Sequence, residues 1–90
     1  MAGAPTLTRL AERARASEAL LRSVLPALPA NLRALVQAGP LEGEEWCLLV
    51  NGNAAAAKIR QLVPDLLACA QARDPSVQRI RIRPVASAAR

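Results

Sequence analysis

The chain has no histidine, tyrosine or phenylalanine, and only one tryptophan, one methionine and two cysteines in 90 residues. Each shortage excludes something. Cys47 and Cys69 do not form a metal-ligand spacing, and no histidine exists to complete a zinc site. The most common general base is missing as well, the serines at 17, 23, 76 and 87 have no visible base, and the adjacent Glu44 and Glu45 diverge on a strand. The stretch NGNAAAAK lacks the Gly-Lys-Ser/Thr end that cradles phosphate in a nucleotide-binding loop. The reading is a protein that is not an enzyme and has neither cofactor nor metal. With no Phe or Tyr the core must be aliphatic and alanine-rich, and Trp46 is its one large ring or, alternatively, an exposed stacking platform. No segment approaches about 20 consecutive apolar residues, so nothing spans a membrane. ALPA at 27–30 imitates a cleavage site, but Glu18 and Arg22 interrupt the region before it, and Glu12 and Glu18 argue against a transit peptide. Cys47 and Cys69 each sit in an apolar pattern, which suits buried free thiols in a reducing cytoplasm.

Positive charge is plentiful. Twelve Arg and Lys against seven Asp and Glu leave a net charge of +5, eleven of the twelve being Arg. This balance favours anionic partners, nucleic acid first among them, although a GC-rich coding bias alone also enriches Arg and Ala. Ninety residues make a single domain spanning 1–90, with residues 1–5 and 85–90 expected to be flexible.

Residues 6–25 read as a helix with Thr6 as N-cap. Leu7, Leu10, Ala11, Ala14, Ser17, Leu21, Val24 and Leu25 form its apolar stripe, and Pro26 and Pro29 end it. Residues 30–41 are open between a short helix capped by Asn31 and a strand with Leu32, Ala34 and Val36 on one face, in which Pro40 needs an edge or a bulge. EWCLLV at 45–50 is a strand, Trp46, Leu48 and Val50 facing one way and Cys47 and Leu49 the other. Asn51-Gly52-Asn53 turns the chain, with Asn51 or Asn53 as cap. A second helix over 54–72 follows, in which Ile59, Leu62, Val63, Leu66, Leu67 and Ala70 face inward. Its first-turn alanines allow close approach to the sheet, and Pro64 forces a kink or a break into two.

The stretch VQRIRIRP alternates, so Ile80 and Ile82 point to a core while Arg79, Arg81 and Arg83 point away. Alternate strand residues stand about 6.6–7 Å apart, close to the spacing of successive phosphates, so three guanidiniums can track a backbone. The plainer alternative is a solvated edge whose arginines block aggregation. Lys58 and Arg60 add positive charge near the start of the second helix, against its dipole unless an anion lies close, and Arg33 adds another.

The run AAAAKIRQLVPDLL, preceded by a strand and an Asn, resembles the signature of the DciA-like family of bacterial replicative-helicase partners. Asn53, Ala55, Ala57, Arg60, Gln61, Pro64 and Leu66 carry the match, Val77, Ile80 and Ile82 supply a matching final strand, and the resemblance covers about residues 30–84. It implies an α+β, K-homology-like domain of order α-β-β-α-β, a three-stranded sheet with two helices on one face. In it residues 32–41 form a strand paired with 45–50 across the Glu42-Gly43 turn. A Gly-x-x-Gly clamp for single strands is absent. The implied role is a non-enzymatic, DNA-associated adaptor, cytoplasmic and possible at the nucleoid. Its partners are non-sequence-specific DNA and the replicative helicase, and Arg79, Arg81, Arg83, Lys58, Arg60 and Arg33 are the contact set. The competing expectation is a protein-interaction module that forms a homodimer or docks through the sheet face of Cys47 and Leu49 without touching DNA.

Overall fold

Seven-residue strands and a much longer first helix set the architecture. A computed structural model describes the backbone of residues 4–85 and the side chains of residues 7–85. The fold is α+β: α1 (Ala4–Val24), a 3₁₀ turn (Leu25–Ala27), α2 (Ala30–Arg33), β1 (Val36–Glu42), β2 (Glu45–Asn51), α3 (Asn53–Gln61), α4 (Val63–Arg73) and β3 (Arg79–Val85). The strands form one open mixed sheet in the order β1-β2-β3, antiparallel between β1 and β2 and parallel between β2 and β3. A parallel pair needs a long crossover, which α3 and α4 provide. Of the ends expected to be flexible, 1–5 and 85–90, residues 1–3 and 86–90 lie outside the described residues, residues 4–5 belong to α1 and Val85 belongs to β3.

One core joins the layers. Leu20, Val24, Leu28 and Leu32 from the first helical region meet Trp46, Leu48, Val50 and Ile82 from the sheet, with Ala56, Ile59, Leu66 and Ala70 from α3 and α4. Trp46 is fully buried, so the stacking-platform alternative is excluded. Its indole Nε1 donates to Ser17 Oγ at 2.9 Å, and Ser17 Oγ donates onward to the Gly39 carbonyl at 2.6 Å.

The expected stripe on α1 is corrected in two ways. Ser17, Leu20 and Val24 carry the burial, Leu21 and Leu25 are only half-buried, and Leu7, Leu10, Ala11 and Ala14 are exposed. Length contributes: 21 residues of helix extend about 31 Å, while seven-residue strands reach only about 23 Å, so α1 outruns the sheet by about five residues. The helix also begins at Ala4, upstream of the expected cap Thr6, whose side chain lies outside the described residues.

Residues 30–42 resolve the helix-or-strand choice by division. Ala30–Arg33 make one helical turn with Pro29, not Asn31, at the N-cap, and the strand starts only at Val36. The strand expected over 32–41 is therefore shorter at its start: Leu32 is buried from a helical turn and Ala34 is exposed. Pro40 finds both devices that strand proline requires, because β1 is an edge strand and its register shifts between Ala38 and Leu41. Leu48 pairs with Ala38 and Trp46 with Leu41, which leaves Gly39 and Pro40 opposite Cys47 alone, a β-bulge. Glycine is required there: a Cβ at position 39 would lie 2.8 Å from the Cys47 carbonyl oxygen. At the hairpin, Gly43 has φ +58° at the position where a type II′ turn takes glycine.

After β2, Gly52 at φ +92° is the N-cap of α3, and no side chain caps it. The expected capping by Asn51 or Asn53 is thus not formed: Asn53 is already the first helical residue, and the turn is made by backbone that only glycine adopts readily. Ala55 and Ala56 are buried in the first turn of α3, which lets the helix lie close to the sheet. The helix then breaks at Leu62, so Pro64 falls in the first turn of α4, where a missing N–H costs nothing. Val77 is buried, and β3 begins two residues later than expected, at Arg79. Cys47 is buried, as expected, whereas Cys69 is only half-buried, and both are free thiols.

Candidate nucleic-acid interface

The helices cover the Trp46 face of the sheet, so what lies on the other face is decided by alternation and register. In β2 the outward residues are Glu45, Cys47 and Leu49, and the parallel pairing places Arg79, Arg81 and Arg83 beside them in that order. On the β1 side, Glu42 stands opposite Glu45 and Gln37 opposite Leu49. The face thus has three parts. Arginines occupy the β3 edge, Cys47 and Leu49 form a short apolar strip along the middle, and carboxylates occupy the hairpin end.

Arg79, Arg81 and Arg83 are all exposed, while Ile80 and Ile82 between them turn inward, Ile82 into the core. Among the described residues one ion pair forms, Arg79 to Glu44 at 3.8 Å, with both side chains more than 60% exposed. Such a pair is screened by solvent and contributes little. Backbone bonds fix β3 in place at the same corner: the Gln78 and Arg79 amides donate to the Glu44 carbonyl at 2.8 and 3.2 Å.

A concavity of about 440 Å³ opens on this face, lined by Cys47, by Arg81 and Arg83 of β3, and by Glu42 and Glu45 of the hairpin end. Burial pushes the Cys47 thiol above its ordinary value. The cations of Arg83 and Arg81 pull it back, and the carboxylates of Glu45 and Glu42 add to the rise. The net direction is upward, so the thiol is protonated at neutral pH and is a packing group rather than a nucleophile.

The remaining cations do not join the ladder. Lys58 and Arg60 are exposed in the last turn of α3, which ends at Gln61, so the expected conflict with the helix dipole is corrected: there they complement it. Two residues apart on a helix, they project about 200° from one another and cannot form one patch. Arg33 is used locally: its Nε donates to the carbonyls of Leu25 and Leu28 at 3.0 and 3.1 Å, fastening the segment where α1 ends. Of the six cations singled out from the sequence, only the three of β3 share a surface.

The family-signature positions divide likewise. Ala55 and Leu66 are core, Pro64 lies in the first turn of α4, and Asn53, Ala57, Arg60 and Gln61 are exposed. What the sequence reading missed is the acidic end of the face. Glu42, Glu44 and Glu45 are visible as a cluster, but only the parallel β2–β3 register places Glu45 beside Arg79. No helix of the described residues is long and apolar enough to cross a membrane. No protein-family model matches this chain, and no curated protein matches its sequence.

Proposed function

We propose that this chain is a non-enzymatic, DNA-associated adaptor that binds nucleic-acid phosphates along the outward face of β3. The observation that carries the reading is the alignment of Arg79, Arg81 and Arg83, all exposed, on one side of an edge strand whose other side is core. An edge position leaves room for a bulky polyanion beside the strand. The alternate-residue spacing of about 6.6 Å suits successive phosphates, and contacts of this kind position a strand without reading its sequence. Glu42 and Glu45 repel a phosphate backbone from the hairpin end and so confine the track to β3.

The finer reading of the fold belongs to the same proposal: a K-homology-like domain with an added turn at Ala30–Arg33 and its crossover helix broken at Leu62. By the resemblance of residues 53–66, the protein partner is the replicative helicase, and the exposed Arg60, Gln61 and Pro64 around the α3–α4 junction are the surface offered to it.

The test is anisotropy of a labelled oligonucleotide titrated at several salt concentrations. Neutralising about three phosphates gives a slope of log K against log salt of roughly −2 to −3. The triple variant Arg79→Ala, Arg81→Ala, Arg83→Ala should lose most of the affinity, and Glu42→Gln with Glu45→Gln should strengthen it. Salt-independent affinity, or a triple variant that binds like the parent, ends the proposal. Retention of purified replicative helicase by the wild type but not by Arg60→Ala, Gln61→Ala tests the second surface.

The apolar strip of Cys47 and Leu49 favours one other reading, in which an acidic protein surface docks on this face. In that case the triple variant loses a protein partner, and no oligonucleotide binds at any salt concentration.

A further inference from the structure

Among the described residues the exposed large apolar side chains are Leu7, 73% exposed, and Leu10, 57% exposed. Both lie on the first half of α1, and every residue from 7 to 15 is exposed. Directly beside this segment, at the β1 edge, is a groove of about 400 Å³ with apolar walls: Leu10 and Ala14 from the helix, and Pro40, Leu41 and Leu49 from the sheet. The bulge at Gly39-Pro40 shapes the sheet side of this groove, and the Ser17 contact to Gly39 closes its inner end. A projecting apolar knob and an apolar hole therefore sit side by side on one molecule.

We infer that this groove receives the exposed first half of α1 from a second copy of the chain, reciprocally, to form a two-fold dimer. Three observations select that occupant. The first is self-complementary shape: an isologous pair requires knob and hole on the same surface, and here they adjoin. The second is charge. Residues 7–15 carry Arg9, Arg13 and Arg15 against Glu12 alone, while the groove rim carries Glu18 and Glu42 against Arg13. A basic segment thus meets an acidic rim twice in one dimer. The third is packing: every residue from 7 to 15 is exposed, helical stability in proteins comes mostly from packing of an apolar face, and a partner groove supplies what the sheet does not.

The area places the contact in a size class. A helix face about 18 Å long and about 10 Å wide, seated twice, removes on the order of 700 Å² from water. That is below the standard interface size, so the contact is of the weak, reversible class. The groove reaches Leu49, the neighbour of Arg83, but is lined by no residue of β3, so the arginine strand is not part of the contact. The inference stands independently of the nucleic-acid reading.

Sedimentation velocity of the whole chain without nucleic acid, over about 5 to 500 µM, tests it by mass action. The weight-average mass should rise with concentration from one chain's 9.5 kDa toward twice that. Leu10→Glu should weaken association at least tenfold while circular dichroism and the melting temperature stay near those of the parent. Leu7→Gln with Leu10→Gln provides the same test with less disturbance of the helix. Glu18→Arg with Glu42→Arg should also weaken it, and Arg81→Glu should leave it unchanged. A monomer at the highest concentration, association indifferent to Leu10→Glu, or association abolished by Arg81→Glu each overturns the inference. The first of these would leave the groove to a different protein.

Discussion

The indole Nε1 of Trp46 donates a 2.9 Å hydrogen bond to the hydroxyl of Ser17, 29 positions earlier. Both residues are buried, and the same hydroxyl donates to the carbonyl of Gly39 in the β1 bulge. One small polar side chain therefore ties helix, central strand and edge strand together. Ser17→Ala strands the indole N–H in the core and should cost about 2 kcal/mol, on the order of 10 °C in Tm for a domain of this size. Thermal unfolding followed by the emission of Trp46 measures it, and a change of a degree or two would show that the network contributes little.

Glycines 39 and 43 should respond differently to alanine. At Gly39 the new methyl meets the Cys47 carbonyl oxygen at 2.8 Å, and backbone must move; at Gly43 nothing lies within 4 Å, and only the positive φ is strained. Gly43→Ala should cost about 1 kcal/mol and Gly39→Ala about 2 kcal/mol or more. Urea denaturation of the two variants side by side reads the order, and the reverse order would contradict the bulge.

Pro64 inside a continuous helix would be a liability of about 3 kcal/mol, and replacing it would stabilise the protein by a comparable amount. In the first turn of α4 it is not. Pro64→Ala should instead destabilise slightly, by about 0.5–1 kcal/mol, because the unfolded chain gains freedom. A large gain in stability or in helical signal would mean that α3 and α4 are one helix.

The Cys47 thiol has its pKa raised above the ordinary 9.0, chiefly by burial. The native state therefore favours the protonated form. This contribution to stability is fully present below the ordinary value and is lost as pH climbs through the raised one. Cys47→Ala should flatten the decline of stability on the alkaline side of pH 9, measured by denaturant titration across that range. At pH 8 alkylation should reach the half-buried Cys69 well before Cys47, and equal rates of labelling would refute the assignment.

Much of the local structure was legible because it is written in periods. The alternation of Ile80 and Ile82 with Arg79, Arg81 and Arg83 needs only the two-residue repeat of a strand, and those side chains divide as that repeat requires. The Pro64 break and the demand of Pro40 for an edge or bulge follow from a missing N–H. The stripe on α1 was misread because periodicity marks which side chains share a face, and it cannot say how far the sheet beneath extends. For that reason Leu7 and Leu10 were placed in a core that ends before it reaches them. The division at 30–42 was missed because four residues of helix and seven of strand overlap in a window too short for either period to dominate.

The order of residues alone sufficed for the α+β class, the inward and outward faces of β2 and β3, and the surplus of arginine, because these depend on neighbours within a few positions. Tertiary structure decided which cations stand together. Arg33 is drawn to backbone carbonyls, Lys58 and Arg60 are separated in the helical layer, and the carboxylates of the hairpin are brought to one end of the arginine strand. The physical reason is that the face is assembled by pairing β2 with β3 across a crossover of two helices. The side chains that meet there are more than thirty positions apart, and no local pattern records which register the pairing will take.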